Sequence, residues 1–240
     1  MTASEFYNEF NILYNNVMSN AAPPLNIYDI SVFLTQAAEE LVLTYYRGRP
    51  NQLVSFDLNE ESKQALDNLV KPYSQLTPTV TEQYNTYIVS RFNKPDDMFF
   101  LLQETVGFNS ELPCYLNKRA IVKPVALDDL NMLLENPFKQ PNNKKVFRTT
   151  FGDGINGVYL ISSEPLKEYR AQYLQKPYPI IIGDLSDYGV SIDGEYLPRN
   201  PVTNLPELLH RLIIKRAVEL AKTAYIGDLN TTIALNNRVQ

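Results

Sequence analysis

The sequence predicts an α+β protein. An N-terminal helix pair and a C-terminal helix form a helical base. A β-rich subdomain is inserted between them, and an extended tail follows. Three observations carry this prediction. Apolar residues recur at helical spacing near both ends. The middle of the chain is rich in aromatic and β-branched residues and loses that period. Prolines punctuate the sequence at Pro23-Pro24, Pro72, Pro137, Pro177, Pro179 and Pro206, each fixing φ and removing a backbone donor.

The elements follow in order. Ser4 to Met18 reads as a helix, with Phe6, Phe10, Leu13 and Val17 on one stripe and Ser4 as its cap. Asp29 to Arg47 reads as a second, with Ile30, Phe33, Leu34, Ala37, Leu41 and Tyr45 inward, Glu39-Glu40 on the wet side and Gly48 as the stop. The short link makes the two an antiparallel pair. A third helix runs from its cap Asn59 to Val70, and Lys71-Pro72 closes it. Strands are expected within Tyr84–Phe92, Met98–Val106 and Cys114–Val125. Asp128-Asp129 starts a short helix that ends before Asn136-Pro137.

Lys145–Phe151 and Val158–Ser162 form a hairpin through Gly152-Asp153-Gly154 and Asn156-Gly157. Residues 167–174 fit either period, and the hairpin context selects a strand. Ile180–Ile182 and Val190–Ile192 are short strands. Asn204 caps a final helix over Pro206–Ala224, with Leu209, Leu212, Ile213, Ala217, Leu220 and Ala221 as its apolar face. The expected divisions are 1–75 (helical), 76–200 (β-rich), 201–225 (the C-terminal helix, packed on the N-terminal helices) and 226–240 (extended tail).

Composition restricts the function classes. The chain has 240 residues, 44% of them hydrophobic and 20% charged, which describes a globular protein with a sizeable core. Its 16 Tyr and 11 Phe with no Trp fit either interface use or codon bias. Net charge is −5, and the only short basic run is Lys144-Lys145 with Arg148, so a free-standing nucleic-acid binder is not expected. An acidic surface suits a wall that DNA slides past without sticking. Cys114 is the only cysteine, so neither an intrachain disulfide nor a Cys-based zinc site can form. No secretory leader or membrane-spanning stretch is expected, which points to a reducing cytoplasm.

No catalytic constellation emerges. His210 is the only histidine and sits in a helix's first turn, a usual place for a surface or subunit contact. Asp128-Asp129 and Glu39-Glu40 read as solvated or helix-starting pairs. Gly152–Gly157 lacks the Lys-Ser/Thr and following helix of a phosphate loop, so it reads as a turn. Tyr45-Tyr46 with Arg47-Gly48-Arg49 reads as a helix end with cations near its negative pole. Pro177-Tyr178-Pro179 opens an edge strand able to pair with a neighbouring chain, or else lies in a plain loop. The tail carries Tyr225, Ile226, Leu229, Ile233 and Leu235, more apolar surface than a solvated end requires. These residues and the Pro177–Pro179 triplet are the candidate contacts with another subunit or chain. No catalytic, cofactor or metal residue is expected.

Several motifs together resemble the head-to-tail connector ring (portal adaptor) proteins of crAss-like tailed bacteriophages. They are Asn136-Pro137-Phe138 with Pro141, the basic stretch Lys144–Thr150, Tyr173 with Lys176-Pro177-Tyr178-Pro179 and Ile180–Ile182, and Leu205-Pro206-Glu207 with His210, Ala217 and Ala221. Ser31–Ala37 is the N-terminal match. The chain departs from the family pattern at Asn204, where a Cys is common, and at Phe147, where Trp is common. The resemblance implies a non-enzymatic virion protein that forms a dodecameric ring in the connector or tail. Its partners would be the portal, further tail or ring proteins and the passing DNA, with no membrane and no cofactor, and it would assemble in the host cytoplasm. The alternative is a phage-encoded enzyme or regulator of the infected cell.

Overall fold

The computed structural model describes residues 1–17, 24–47, 60–149 and 157–226. They form an α+β protein of two compact units. One unit is discontinuous, Met1–Leu69 with Lys176–Gln240, and the other is Val70–Gln175. The sheet-bearing unit therefore takes in residues 70–75, expected with the helices, and leaves out 176–200, expected with the strands.

The discontinuous unit contains α1 (Ala3–Val17), α2 (Ile27–Arg47), α3 (Glu60–Leu66) and a long last helix, Glu207–Ile226. The last helix packs on α1 and α2. Thr2, not Ser4, caps α1. Thr2 Oγ1 accepts the Glu5 amide at 3.3 Å, and Glu5 Oε2 accepts the Thr2 amide at 2.8 Å, a reciprocal capping box. Asn26 caps α2 by accepting the Asp29 amide at 2.7 Å.

The buried face of α2 is Ile30, Ser31, Leu34, Thr35, Ala37, Ala38 and Val42, so it includes two hydroxyls that periodicity alone would place in water. On the last helix, Leu209, Ile213, Ala217 and Ala221 are buried as expected, but Ile214 and Val218 replace Leu212, which is exposed. The expected cap and stop at Asn59 and Gly48 lie outside the described residues.

The other unit is one eight-stranded sheet in the order β1-β8-β4-β5-β6-β7-β3-β2. The strands are β1 (Val70–Gln75), β2 (Val80–Tyr84), β3 (Tyr87–Asn93), β4 (Met98–Phe108), β5 (Arg119–Pro124), β6 (Lys145–Thr149), β7 (Gly157–Ser162) and β8 (Leu166–Gln175). Residues 167–174 are thus strand. Lys71-Pro72 does not terminate a helix: Pro72 lies in edge strand β1, where a missing donor is tolerated.

Chain connectivity dictates that this sheet curls. β1 and β2 lie at opposite edges but are joined by residues 76–79 alone. Such a link reaches about 17 Å, whereas the edges of a flat eight-stranded sheet would stand about 34 Å apart. Gln75 seals the approach: its Oε1 accepts the Asn93 amide of β3 at 2.9 Å. Asn85 takes a left-handed conformation (φ 54°) in the tight β2–β3 turn.

The curl encloses one core and leaves another outside. Phe92, Val106, Val122, Val146, Leu160 and Tyr169 meet on the inner face. The intervening residues Val89, Phe147, Tyr159 and Ile161 face outward and are covered by Leu130 and Leu134 of α4 (Leu127–Glu135). α4 links β5 to β6, which run parallel. The expected hairpin pairing of β6 with β7 is present, and its connection, residues 150–156, lies outside the described residues.

Candidate assembly surfaces

Ile180–Ile182 does not form a strand, and Val190–Ile192 reduces to one bridge, Ile192 with Glu195. The physical reason lies in the prolines. Pro177 and Pro179 donate nothing, so a sheet ladder would be broken at its start. The remaining donors find side chains instead. Tyr178 N–H donates to Asn204 Oδ1 at 3.0 Å, Ile180 N–H to Thr35 Oγ1 at 3.0 Å and Ile182 N–H to Ser31 Oγ at 3.2 Å. Asn204 is therefore a tether for this segment, with no place as the cap of α5, the Glu207–Ile226 helix.

Of the expected contact triplet, Pro177 and Pro179 are buried within their own unit, and Tyr178 is half-buried under the Arg199 guanidinium, 4.4 Å from its ring centroid. The backbone of Tyr225 and Ile226 completes α5. Their side chains, with Leu229, Ile233 and Leu235, lie outside the described residues.

The charged pair on α2 is engaged rather than solvated. Glu39 meets Lys176 Nζ at 3.1 Å, and Lys176 also meets Asp193 at 2.8 Å. Glu40 meets Arg216 of α5 at 2.7 Å, with both side chains largely covered. His210, expected as a surface or subunit contact, is buried within the chain. Its Nε2 lies 3.1 Å from the Leu205 carbonyl, and the Met1 ammonium lies 3.3 Å from Nδ1. Burial lowers the imidazole pKa, so the ring is held neutral, with Nε2–H donating to Leu205 and Nδ1 accepting.

A polar cluster sits inside the curled sheet. Tyr169 Oη donates to Glu104 Oε1 at 2.7 Å, and Arg148 Nη1 meets Glu104 Oε2 at 2.9 Å. Burial raises the Glu104 pKa against the opposing pull of Tyr169 and Arg148. Sequence reading missed this cluster, although a single carboxylate in the apolar run of β4 was the available signal. Its three groups satisfy one another. The basic run is also divided: Arg148 points inward to Glu104, and Lys145 Nζ donates to the Lys139 carbonyl at 2.6 Å. Among the described residues, no group of three or more His, Cys, Asp or Glu side chains could hold a metal ion, and no helix is long and apolar enough to cross a membrane.

Large apolar side chains stand in water at several places. Leu208 and Leu212 are exposed one turn apart on α5. Met132 and Leu127 are exposed on α4. Phe138, in the Asn136-Pro137-Phe138 motif, is 95% exposed.

Comparison with known proteins gives these surfaces their context. The family model for the phage tail ring protein 3/4 matches residues 1–232. "Ring protein 4/5" of Bacteroides phage crAss001 is 35% identical, with 99% of each chain covered. "Ring protein 3" of the same phage is 34% identical, covering 95% of this chain and 99% of the relative. A match of this length spans both units, and the chain belongs to the phage tail ring protein 3/4 family.

Proposed function

We propose that this chain is a non-enzymatic subunit of a closed virion ring in the head-to-tail connector. The carrying observation is the near full-length likeness to two proteins that both bear the name ring protein. A closed ring needs two different patches per subunit that meet head to tail. The exposed apolar residues of each unit, such as Leu208 and Phe138, supply material for such patches.

In this reading α1, α2 and α5 form a base and the curled sheet is the inserted subdomain. The tail, with Tyr225, Ile226, Leu229, Ile233 and Leu235, is an arm onto a neighbouring subunit or the portal. The ring is dodecameric and adapts the portal to further ring or tail proteins. A net charge of −5 lets DNA pass without sequence-specific binding.

The test has two parts. Purified virions should contain the chain at a fixed ratio to the portal protein by quantitative mass spectrometry. The purified chain should give annular particles by negative-stain electron microscopy, alone or with portal. A chain absent from virions but present in infected cells would overturn this reading in favour of an enzyme or regulator.

A further inference from the structure

The curl of the sheet stops short of closure. No ladder joins β1 to β2, and each pairs with one neighbour only, β8 and β3 respectively. The two edges differ. Pro72 in β1 has no backbone donor, which blunts that edge against a further strand. β2 contains no proline, and Val80, Thr81, Glu82 and Gln83 are exposed. Among the described residues, no strand or backbone group pairs with its outer edge.

The two faces beside the β2 edge differ in polarity. Val80, Glu82 and Tyr84 stand opposite Arg91, Val89 and Tyr87, on the side that α4 covers. There Tyr84 Oη donates to Asn131 Oδ1 at 3.4 Å, and Leu127, one turn earlier on the same flank of α4, is exposed. Thr81 and Gln83 alternate with these residues and belong to the other face. A strand seated at this edge therefore meets Val80, Tyr84 and Leu127 on one face and two polar side chains on the other.

The sequence after α5, outside the described residues, has the matching pattern. Leu229, Thr231, Ile233 and Leu235 alternate with Asn230, Thr232, Ala234 and Asn236. This is the period of a strand, with one face led by Leu and Ile and the other by Asn and Thr. The stretch is uncharged, so it sets no like charge opposite Glu82. A second β2 does: two such strands paired antiparallel about their centres bring Glu82 against Glu82, which disfavours pairing of this edge with itself.

We propose that residues 229–236 of one copy of this chain add as a strand to the β2 edge of the next copy, with Leu229, Ile233 and Leu235 toward Val80, Tyr84 and Leu127. This rests on the ring reading above and supplies its two unlike patches, an arm and an edge that meet head to tail. Main-chain hydrogen bonds hold the arm, and the polarity of its faces fixes which side it turns to α4.

Cross-linking of the full chain tests it. Cys114→Ser removes the exposed native thiol, Glu82→Cys marks the edge and Ile233→Cys marks the arm. A bis-maleimide spanning about 8 Å joins directly opposite and diagonal neighbours alike, so a register shift of one pair is tolerated. Mixing the two single-thiol chains should give a heterodimer in preference to either homodimer, and the chain with both thiols should give a ladder of linked copies. A double-thiol chain linked only within itself would place the arm on its own sheet. Dominant Glu82→Cys homodimers would mean that the edge pairs with its own copy. Hydrogen exchange on the unmodified chain is the second measurement. Amides of Val80–Tyr84 and of residues 229–236 should slow together on assembly, and unchanged exchange at either stretch in assembled rings would mean that the arm docks elsewhere. Each of these three results overturns the inference and leaves the ring reading standing. A wild-type chain that stays monomeric in sedimentation velocity at every concentration, with or without portal, overturns both.

Discussion

Thr35 and Ile180 lie 145 positions apart, yet the Thr35 hydroxyl accepts the Ile180 amide at 3.0 Å while donating to the Ser31 carbonyl at 2.8 Å. Ser31 repeats the arrangement one turn earlier, donating to Ile27 O at 2.8 Å and accepting from Ile182 N at 3.2 Å. A helix thereby takes the place of a neighbouring strand for the segment after Pro179. Both lone-pair and proton capacities of each hydroxyl are used, so neither is stranded by burial.

Thr35→Val keeps the shape but removes the acceptor, leaving the Ile180 amide buried and unpaired. The expected loss is about 1–3 kcal/mol of unfolding free energy, read from urea titration of the full chain. Thr35→Ser should lose less, since it keeps the hydroxyl. Equal losses for Val and Ser would mean that methyl packing, and not the hydrogen bond, holds the segment.

His210 should make the fold acid-sensitive. Its folded pKa lies below the ordinary value of 6.5, from burial first and then from the Met1 ammonium, while the Leu205 carbonyl and Glu207 pull the other way. Below pH 6.5 the unfolded chain binds a proton that the folded chain resists, so stability falls as pH drops from there to the lowered folded value. Glu104, whose pKa is raised, contributes with the opposite slope, so the readout is a difference. Urea midpoints at pH 7.5 and 5.5 should drop more for wild type than for His210→Gln. Parallel drops in the two proteins would contradict this.

The Glu104 cluster predicts an asymmetry between breaking and replacing a buried pair. Glu104→Ala leaves the Arg148 guanidinium and the Tyr169 hydroxyl without their acceptor and should cost about 3 kcal/mol or more. Tyr169→Phe removes one hydrogen bond to a charged group and should cost about 1.5–3 kcal/mol. Glu104→Leu combined with Arg148→Met should recover much of the loss of the single change. Additive losses in the double variant would show that the two charges are not energetically coupled.

Glu40 and Arg216 join α2 to α5 at 2.7 Å, with side chains only 18% and 14% exposed. A double-mutant cycle of Glu40→Gln and Arg216→Met should give a coupling energy of about 1 kcal/mol or more, above that of a typical surface pair. Arg216 also contacts Glu219, so the cycle should be repeated in a Glu219→Gln background, where the coupling should persist. A coupling indistinguishable from zero would reduce the bridge to a surface pair.

Local sequence determined what local forces decide. The stripe through Phe6 and Phe10 and the helical period through Ile30, Leu34 and Ala37 each fix an element, because burial of one face follows from spacing alone, and the continuous apolar run Val158–Ile161 marks a strand covered on both faces. The motifs from Asn136 to Ala221 also determined the family, since they record lineage. Tertiary structure decided the rest. Ile180–Ile182 has the composition of a strand, but the donors missing at Pro177 and Pro179 and the hydroxyls of Ser31 and Thr35 made it a segment on a helix. Glu39, Glu40 and His210 read as solvated because their partners, Lys176, Arg216 and Leu205, come from remote or non-periodic positions. β1 and β2 were missed because an edge strand has little apolar alternation to show. Only the curl of the sheet, imposed by the short link between them, brought the two ends of the strand order together. Phe138 is the converse: its turn is written in Asn136-Pro137, but only the fold could reveal that, among the described residues, none covers its ring.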